Sequence, residues 1–342
     1  MSQKITRREF VEQGTCVAIG AGVVLGASPS LAAAVDMRST VVQVHDSRAV
    51  DAKRKVDPKV VRAMLRQGLQ KLTGSPDPFK KLFSPDDKVG LKINCLGKKM
   101  LYTHHALVDA FAAELQAVGV KADNIVIWDR FEDHLKRCNY DLKPKGPGVR
   151  CLATEERGRD GGLFDATARY VPSFDAKAEA SRLSSIFTTE CNKHVNLAIL
   201  KDHGLAGVTL TLKNIAYGVC DNNRRFHGRE DIGPFIADFC ARDDVRQRFV
   251  LHVVDGIEGC FDGGPVPGSE DQLFAPRMLW LGFDPVALDA VGARLIDQTR
   301  LKNKLTTVAA AGRPADHIAL AAKRGLGVDD LSRIDVVEVK LG

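Results

Sequence analysis

Residues 190–228, ECNKHVNLAILKDHGLAGVTLTLKNIAYGVCDNNRRFHG, carry the reading of the fold. Val195, Leu197 and Ile199 alternate with smaller or polar neighbours, which is the period of a buried strand. The alternation stops at Lys201-Asp202-His203-Gly204, where ionisable groups and a glycine replace apolar side chains. A second apolar run after Gly207 carries Lys213 and Asn214. Tyr217-Gly218, Asn222-Asn223, Arg224-Arg225 and His227 follow it. In open parallel sheets ligands bind beyond the carboxyl ends of the strands. A polar loop leaving such an end is therefore a candidate site.

The flanking sequence sets this strand in an alternating pattern. Val41–Val44 predicts a strand, and Asp57-Pro58 opens a helix whose apolar face is Val61, Leu65, Leu69 and Leu72. Lys88–Asn94 predicts a second strand, running into the turn Cys95-Leu96-Gly97-Lys98-Lys99. Thr103 is the expected cap of a helix with Leu107, Phe111, Leu115 and Val118 on one stripe, and Ile125–Trp128 is a third strand leading into Asp129-Arg130. Beyond the central stretch, Arg248–Val254 ends in Asp255-Gly256 and is followed by Asp262-Gly263-Gly264-Pro265. Met278–Phe283 is a further strand, Asp284-Pro285 repeats the first cap, residues 314–324 form a helix, and Val336–Leu341 is the last strand. This order predicts an α/β protein with a doubly wound, mostly parallel sheet and helices on both faces. Residues 139–190 break the pattern. They are expected to be a loop-rich insertion with short strand candidates at 149–152 and 168–171.

The chain opens with Thr6-Arg7-Arg8-Glu9-Phe10, an uncharged run over 14–34, and Ser30-Leu31-Ala32-Ala33-Ala34. Paired arginines, a mild Gly/Ala-rich segment and small residues at its end predict a twin-arginine signal over 1–34, with one domain over 35–342. The periplasm is then the expected location, and the twin-arginine export machinery an expected partner. A transmembrane span needs roughly 20 strongly apolar residues, so no stable membrane insertion of the mature chain is expected. A net charge of +6 with 6% aromatic residues and no long basic run argues against nucleic acid and for a small anionic ligand. Cys95, Cys138, Cys151, Cys191, Cys220, Cys240 and Cys260 include no C-x-x-C pair. The sequence thus holds no local iron–sulfur motif, and most of these thiols are expected to be free and buried.

The ionisable residues suggest chemistry and also admit plainer roles. His203 and His227 are candidates for acid–base work or for binding a metal, since imidazole titrates near neutral pH and offers a lone pair. Either could equally be a loop histidine bonded to backbone carbonyls. Lys213, inside an apolar run, needs a carboxylate such as Asp202 or Asp255, or else serves as an anchor or base. Asn214, Asn222 and Asn223 offer neutral donors to an anion, and Arg224 or Arg225 a bidentate one. Asp255 and Asp262 could ligate a cation or orient His203, or simply shape turns. His104 and His105 at a helix start, and Lys92, Lys98 and Lys99, are weaker candidates for a site rim.

Three motifs together resemble one family. They are Lys201-Asp202-His203 with Ala206 to Leu210 and Leu212-Lys213-Asn214, then Asp255-Gly256 with Asp262-Gly263-Gly264-Pro265, then Asp284 to Asp289. They are similar to the DUF362 family of exported bacterial proteins, whose activity is not established. Some members carry an added ferredoxin-like domain, which the cysteine spacing here does not provide. The order His203, Lys213, His227 also resembles lactate-racemase-type enzymes, and Val89–Trp128 is similar to their cofactor-binding lobe. That likeness implies a nickel-pincer-type cofactor anchored on Lys213, with histidines that bind the metal or move a proton. The racemase's histidine-rich motif after an early strand is missing here, with only His104-His105 and His134 as candidate stand-ins. The expected function is binding of a small anionic ligand with a cofactor or divalent metal, and proton transfer of racemase or epimerase type. Catalytic roles fall to His203, Lys213 and His227; cofactor contacts to Lys213, Asn214, Asn222, Asn223 and Arg224; and metal ligation to His203, His227, Asp255 and Asp262. The alternative is a non-catalytic periplasmic ligand- or metal-binding protein.

Overall fold

The computed structural model describes residues 37–155 and 162–342. The expected export signal over 1–34 lies outside them. The strands in chain order are β1 (Ser39–His45), β2 (Val89–Lys92), β3 (Ile125–Phe131), β4 (Arg150–Glu155), β5 (Phe164–Tyr170) and β6 (Ser181–Ser184). They continue with β7 (Lys193–His203), β8 (Gly207–Thr209), β9 (Phe249–Cys260), β10 (Leu273–Phe274), β11 (Met278–Gly282) and β12 (Ile334–Lys340). The helices are α1 (Pro58–Thr73), α2 (Pro78–Leu82), α3 (His105–Ala117), α4 (Glu132–Arg137), α5 (Thr211–Val219), α6 (Arg229–Ala241), α7 (Asp243–Arg248), α8 (Pro285–Lys302) and α9 (Asp316–Lys323).

The main sheet runs β12-β1-β11-β9-β7-β2-β3-β4, with β8 and β10 added as short partners of β7 and β9. From β9 to β4 every neighbouring pair is parallel. On the other side, β11 is antiparallel to both β9 and β1. The connection from β9 turns back through β10 without a crossover helix, which is what an antiparallel neighbour permits. The fold is mixed α/β with a mostly parallel sheet, as the alternation of elements predicts.

Period-two alternation divides the core between the two faces. Leu251 and Val253 of β9 and Leu279 and Leu281 of β11 pack with Val61, Leu65 and Leu69 of α1 and Leu107, Phe111 and Leu115 of α3. Leu200, Val254 and Trp280 point the other way, onto Leu212 and Ile215 of α5, Phe235 and Phe239 of α6, and Val286 and Leu288 of α8. Asp57 and Asp284 cap α1 and α8 through their carboxylates, as each Asp-Pro pair predicts.

One local expectation is corrected. Thr103 does not cap α3; its hydroxyl donates to Leu197 O at 2.8 Å and accepts from Asn94 N at 2.9 Å, tying the end of β2 to β7. The first turn of α3 is instead capped from across the sheet, where His104 N donates to Asp255 Oδ2 at 2.8 Å. The segment 139–190 carries three short strands, β4 and β5 overlapping the candidates at 149–152 and 168–171. Its strand β4 forms the edge of the main sheet beside β3, and β5 and β6 form a separate antiparallel pair. Arg150–Glu155 is too polar at both ends for periodicity alone to assign it to a core sheet.

His194 on β7 is wholly buried among Trp128, Phe187 and Phe249, and its Nδ1 has no partner among the described residues. Burial lowers its pKa to about 3. The ring is neutral in the fold, whereas unfolded chain takes up a proton below about 6.5. Its contribution to stability is therefore fully present above about 6.5 and is lost as pH falls from there towards 3. In urea titrations from pH 6 to 4, His194→Leu is expected to shallow the loss of stability by up to about 1.4 kcal/mol per pH unit. Equal slopes for the two proteins would show that His194 is not held neutral.

Candidate functional site

The carboxyl ends of β2, β3 and β7 deliver Lys92, Asn94, Asp129 and Lys201 to one place, and α5 lays Lys213, Asn214 and Tyr217 across it. Lys92 is only 1% exposed. Its Nζ donates to Asp129 Oδ1 at 2.8 Å, Ile93 O at 2.6 Å and Asn214 Oδ1 at 3.1 Å, which uses all three of its hydrogens. Asp129 also accepts the N–H groups of Cys95 and Arg130. Burial alone would raise its pKa, but Lys92 and these donors hold it below the ordinary carboxylate value. Lys92 is therefore a neutralised, structural cation.

A carboxamide chain leads from it to a second lysine. Asn94 donates to Asn214 Oδ1 at 3.0 Å and accepts from Lys201 Nζ at 2.8 Å, and Asn214 donates to Asn196 Oδ1 at 2.7 Å. Helix α5 can approach this closely because residue 218 is glycine. A Cβ there would overlap Lys92 Cε.

Lys213 differs from both. It is 3% exposed, and among the described residues its Nζ has neither a hydrogen-bond acceptor nor a carboxylate, only the ring of Tyr217 at 3.7 Å. Burial, with the charge of Lys201 nearby, brings its pKa down to about 7. Lys201, also buried, falls to about 8. The site thus holds two amines that titrate near neutral pH, on a scaffold ordered by a third that is paired.

The imidazoles frame this centre. His203 is buried, and its Nδ1 accepts the backbone N–H groups of Leu205 and Ala206, each at 3.0 Å. The neutral ring therefore carries its proton on Nε2. Burial first, then Lys213 and His227, push its pKa far below the usual value. The rings of His203 and His227 lie 6.1 Å apart, and His227 packs edge-on to Tyr217 at 4.4 Å. Burial and Lys213 lower His227 to about 4, and its Nδ1 has no partner among the described residues. His134 at the start of α4 is close enough to Asp129, Lys201 and Lys98 to feel their charges, with burial the main cause of its lowered pKa.

The model of a domain of unknown function, DUF362, matches residues 89–294. The chain belongs to the DUF362 family. The match begins at the first residue of β2 and ends within α8, so it includes every residue of the centre just described. No curated protein matches the sequence. A solved structure of a protein from Thermotoga maritima is similar at 10% identity and a TM-score of 0.40, over 73% of this chain and 60% of that one. The similarity thus spans less than two thirds of that relative's length.

Among the residues singled out in this DUF362 sequence, His203, Lys213, Asn214 and His227 come together. Asp255 and Asp262 do not join them. Asp255 holds His104, accepting from its backbone at 2.8 Å and contacting its Nδ1 at 2.9 Å, while Glu258 and Arg54 complete a separate buried charge cluster. Burial would lower His104, yet Asp255 and Glu258 raise it to about 10. Asp262 pairs with Arg300 at 2.6 Å and Arg313 at 3.2 Å, and Asp202 with Arg313 at 2.6 Å. Neither Asp202 nor Asp255 is therefore the partner of Lys213. Asp202 follows Lys201 on a strand, so it points away from it.

The remaining donors are structural. Asn222 is exposed, adopts φ 47° and donates to Glu179 at 3.1 Å. Asn223 is buried but spends its amide on Tyr217 O and Cys220 O and its carbonyl on Arg130. Arg224 is exposed, and Arg225 binds Asn222 O and Ser181. Among the described residues no group of three His, Cys, Asp or Glu side chains could hold a metal ion. The set His203, His227, Asp255 and Asp262 is thus not a ligand set, and the donors do not fit a metal held by protein side chains. The cysteines beyond residue 34 are all free and buried, Cys191 and Cys220 included.

Sequence alone places Lys201 and Tyr217 in the candidate stretch without giving either a role, and it gives none to Asn94, Asp129 or His317. Asn94, Asp129 and Lys201 share a signal that assigns them a place: each is at or just beyond the carboxyl end of an apolar strand. His317 on α9 has no such signal. It is buried beside Asp289 at 3.8 Å with neither ring nitrogen hydrogen-bonded among the described residues.

Proposed function

We propose that this DUF362 protein binds a small carboxylate-bearing ligand at the carboxyl edge of its sheet and catalyses proton transfer on it, with Lys201 holding the anion and Lys213 exchanging the proton. The observation that carries this reading is the pair of buried amines left over once Asp129 has neutralised Lys92. A buried ammonium without a counter-ion is costly, and a bound carboxylate removes that cost. An amine near neutral pKa beside it can accept a proton at physiological pH and return it. His203, with its proton on Nε2, can donate to a ligand oxygen, and the closeness of His227 to both it and Tyr217 favours an enzyme over a passive binder. In the same proposal residues 1–34 are a removable twin-arginine signal, 35–342 the domain it exports, and the periplasm its place of action.

The test uses a panel of small 2-hydroxy and 2-oxo acids, with binding followed by calorimetry and exchange of the C2 proton of the hydroxy acids and the C3 protons of the oxo acids followed by NMR in deuterium oxide. At least one member should bind and exchange. Lys201→Met should weaken its binding roughly 10- to 100-fold, the loss of one buried charge-assisted contact. Unchanged affinity in that variant, or no binding anywhere in the panel, would sink the reading.

A further inference from the structure

We propose that Lys213 is a nucleophile, forming an imine through its Nζ with a ligand that carries a carbonyl beside its carboxylate, a 2-oxo acid or the corresponding aldehyde. This deepens the function proposed above and rests on it, naming the substrate class of the same centre.

The three buried lysines differ in what surrounds them. Lys92 spends every hydrogen on Asp129, Asn214 and Ile93 O, so its lone pair is never available. Lys201 is fixed on Asn94 and keeps a role as a cation. Lys213 has only the face of Tyr217, at 3.7 Å, and no acceptor among the described residues. The titration of Lys213 near 7 agrees with that geometry. A desolvated lysine next to another cation is how proteins make an amine nucleophilic at neutral pH.

Its neighbours fit the steps that follow. Lys201 reaches the same centre through Asn94, which bonds Asn214, the residue after Lys213, so a carboxylate-binding cation is held on the scaffold that carries the nucleophile. Nδ1 of His203 is committed to two backbone N–H groups, so its Nε2–H is the proton this ring offers to a carbonyl oxygen. Nζ attacks the carbonyl carbon, a C–N bond forms, and the oxygen takes up a proton. The oxygen then leaves as water with a second proton as the C=N bond forms, and the amine has given up both of its hydrogens. No oxidant or reductant is consumed. In a 2-oxo acid the imine carbon is the one next to the carboxylate and bears no hydrogen, so the imine eases loss of a proton from C3; the 2-hydroxy acids, which form no imine, exchange their C2 proton with Lys213 as free base as proposed above.

Full-length protein is treated with glyoxylate and cyanoborohydride at pH 7, and the adduct is located by intact mass and peptide mapping. One reduced adduct is expected, on the peptide holding Lys213, formed roughly 100-fold or more faster than on exposed lysines, whose free-base fraction at pH 7 is far smaller. It should be absent in Lys213→Arg. Adducts spread over exposed lysines with Lys213 unmodified, or an adduct that persists in Lys213→Arg, would overturn the inference. Lactate, which has no carbonyl, separates the two claims by calorimetry. Lactate binding without a glyoxylate adduct leaves the anion site standing and removes the nucleophile. Failure of both removes the site.

Discussion

Asp129→Leu is expected to destabilise the protein by about 3–5 kcal/mol, the cost of leaving a buried cation without its counter-charge. Asp129 is the carboxylate on which Lys92 rests, and both side chains are enclosed, at 9% and 1% exposure. Water cannot reach Lys92 to replace it. Asn214 and Ile93 O remain as acceptors, but neither carries a charge. The loss also reaches the neighbouring turn, because Cys95 N donates to Asp129 Oδ2 at 2.7 Å. Urea unfolding reads the effect, and the double variant Lys92→Met/Asp129→Leu should recover most of it, since removing both charges removes the unpaired one. A single-variant loss below about 1 kcal/mol would mean that the pair is solvated and the centre far more open than described.

Lys213→Met is expected to lower the rate of solvent-proton exchange in a bound carboxylate by about 10²–10⁴, the usual contribution of a positioned general base. The fold should survive, because the variant replaces an unpaired buried amine with an apolar side chain of similar length. The pH profile supplies the sharper check. Lys213 must be free base, so the rate should rise with pH through about 7. Lys201 must stay protonated to hold the anion, so kcat/KM should fall again through about 8. A narrow bell between these limbs is the expected result in wild type. Lys213→Arg keeps a cation that cannot deprotonate near neutral pH and should abolish exchange while retaining ligand binding. Exchange that is unaltered by either substitution would assign the proton to another group.

The separation of roles among three buried lysines explains why the candidate site could be read only in part beforehand. His203, Lys213, Asn214 and His227 fall within one stretch of the sequence, where ionisable groups interrupt an apolar pattern. Asp255 and Asp262 show the same local signal, acid and glycine after a strand, yet face other partners. A strand end marks where a side chain emerges. It does not say which neighbour the side chain meets.

Elements with local causes are legible in the residues alone: the alternation of β7 and β9, the Asp-Pro caps of α1 and α8, and the βα order that makes most of the sheet parallel. Each depends on residues a few positions apart, so its signal survives in one dimension. The antiparallel course of β11, the place of β4 at one edge and the identity of the paired lysine come from contacts made on folding. The bonds from Lys92 to Asp129, from Lys201 to Asn94 and from Asn94 to Asn214 join residues 37, 107 and 120 positions apart. Periodicity carries no record of such distances, and the state of a buried amine depends on whether a carboxylate crosses that gap to reach it.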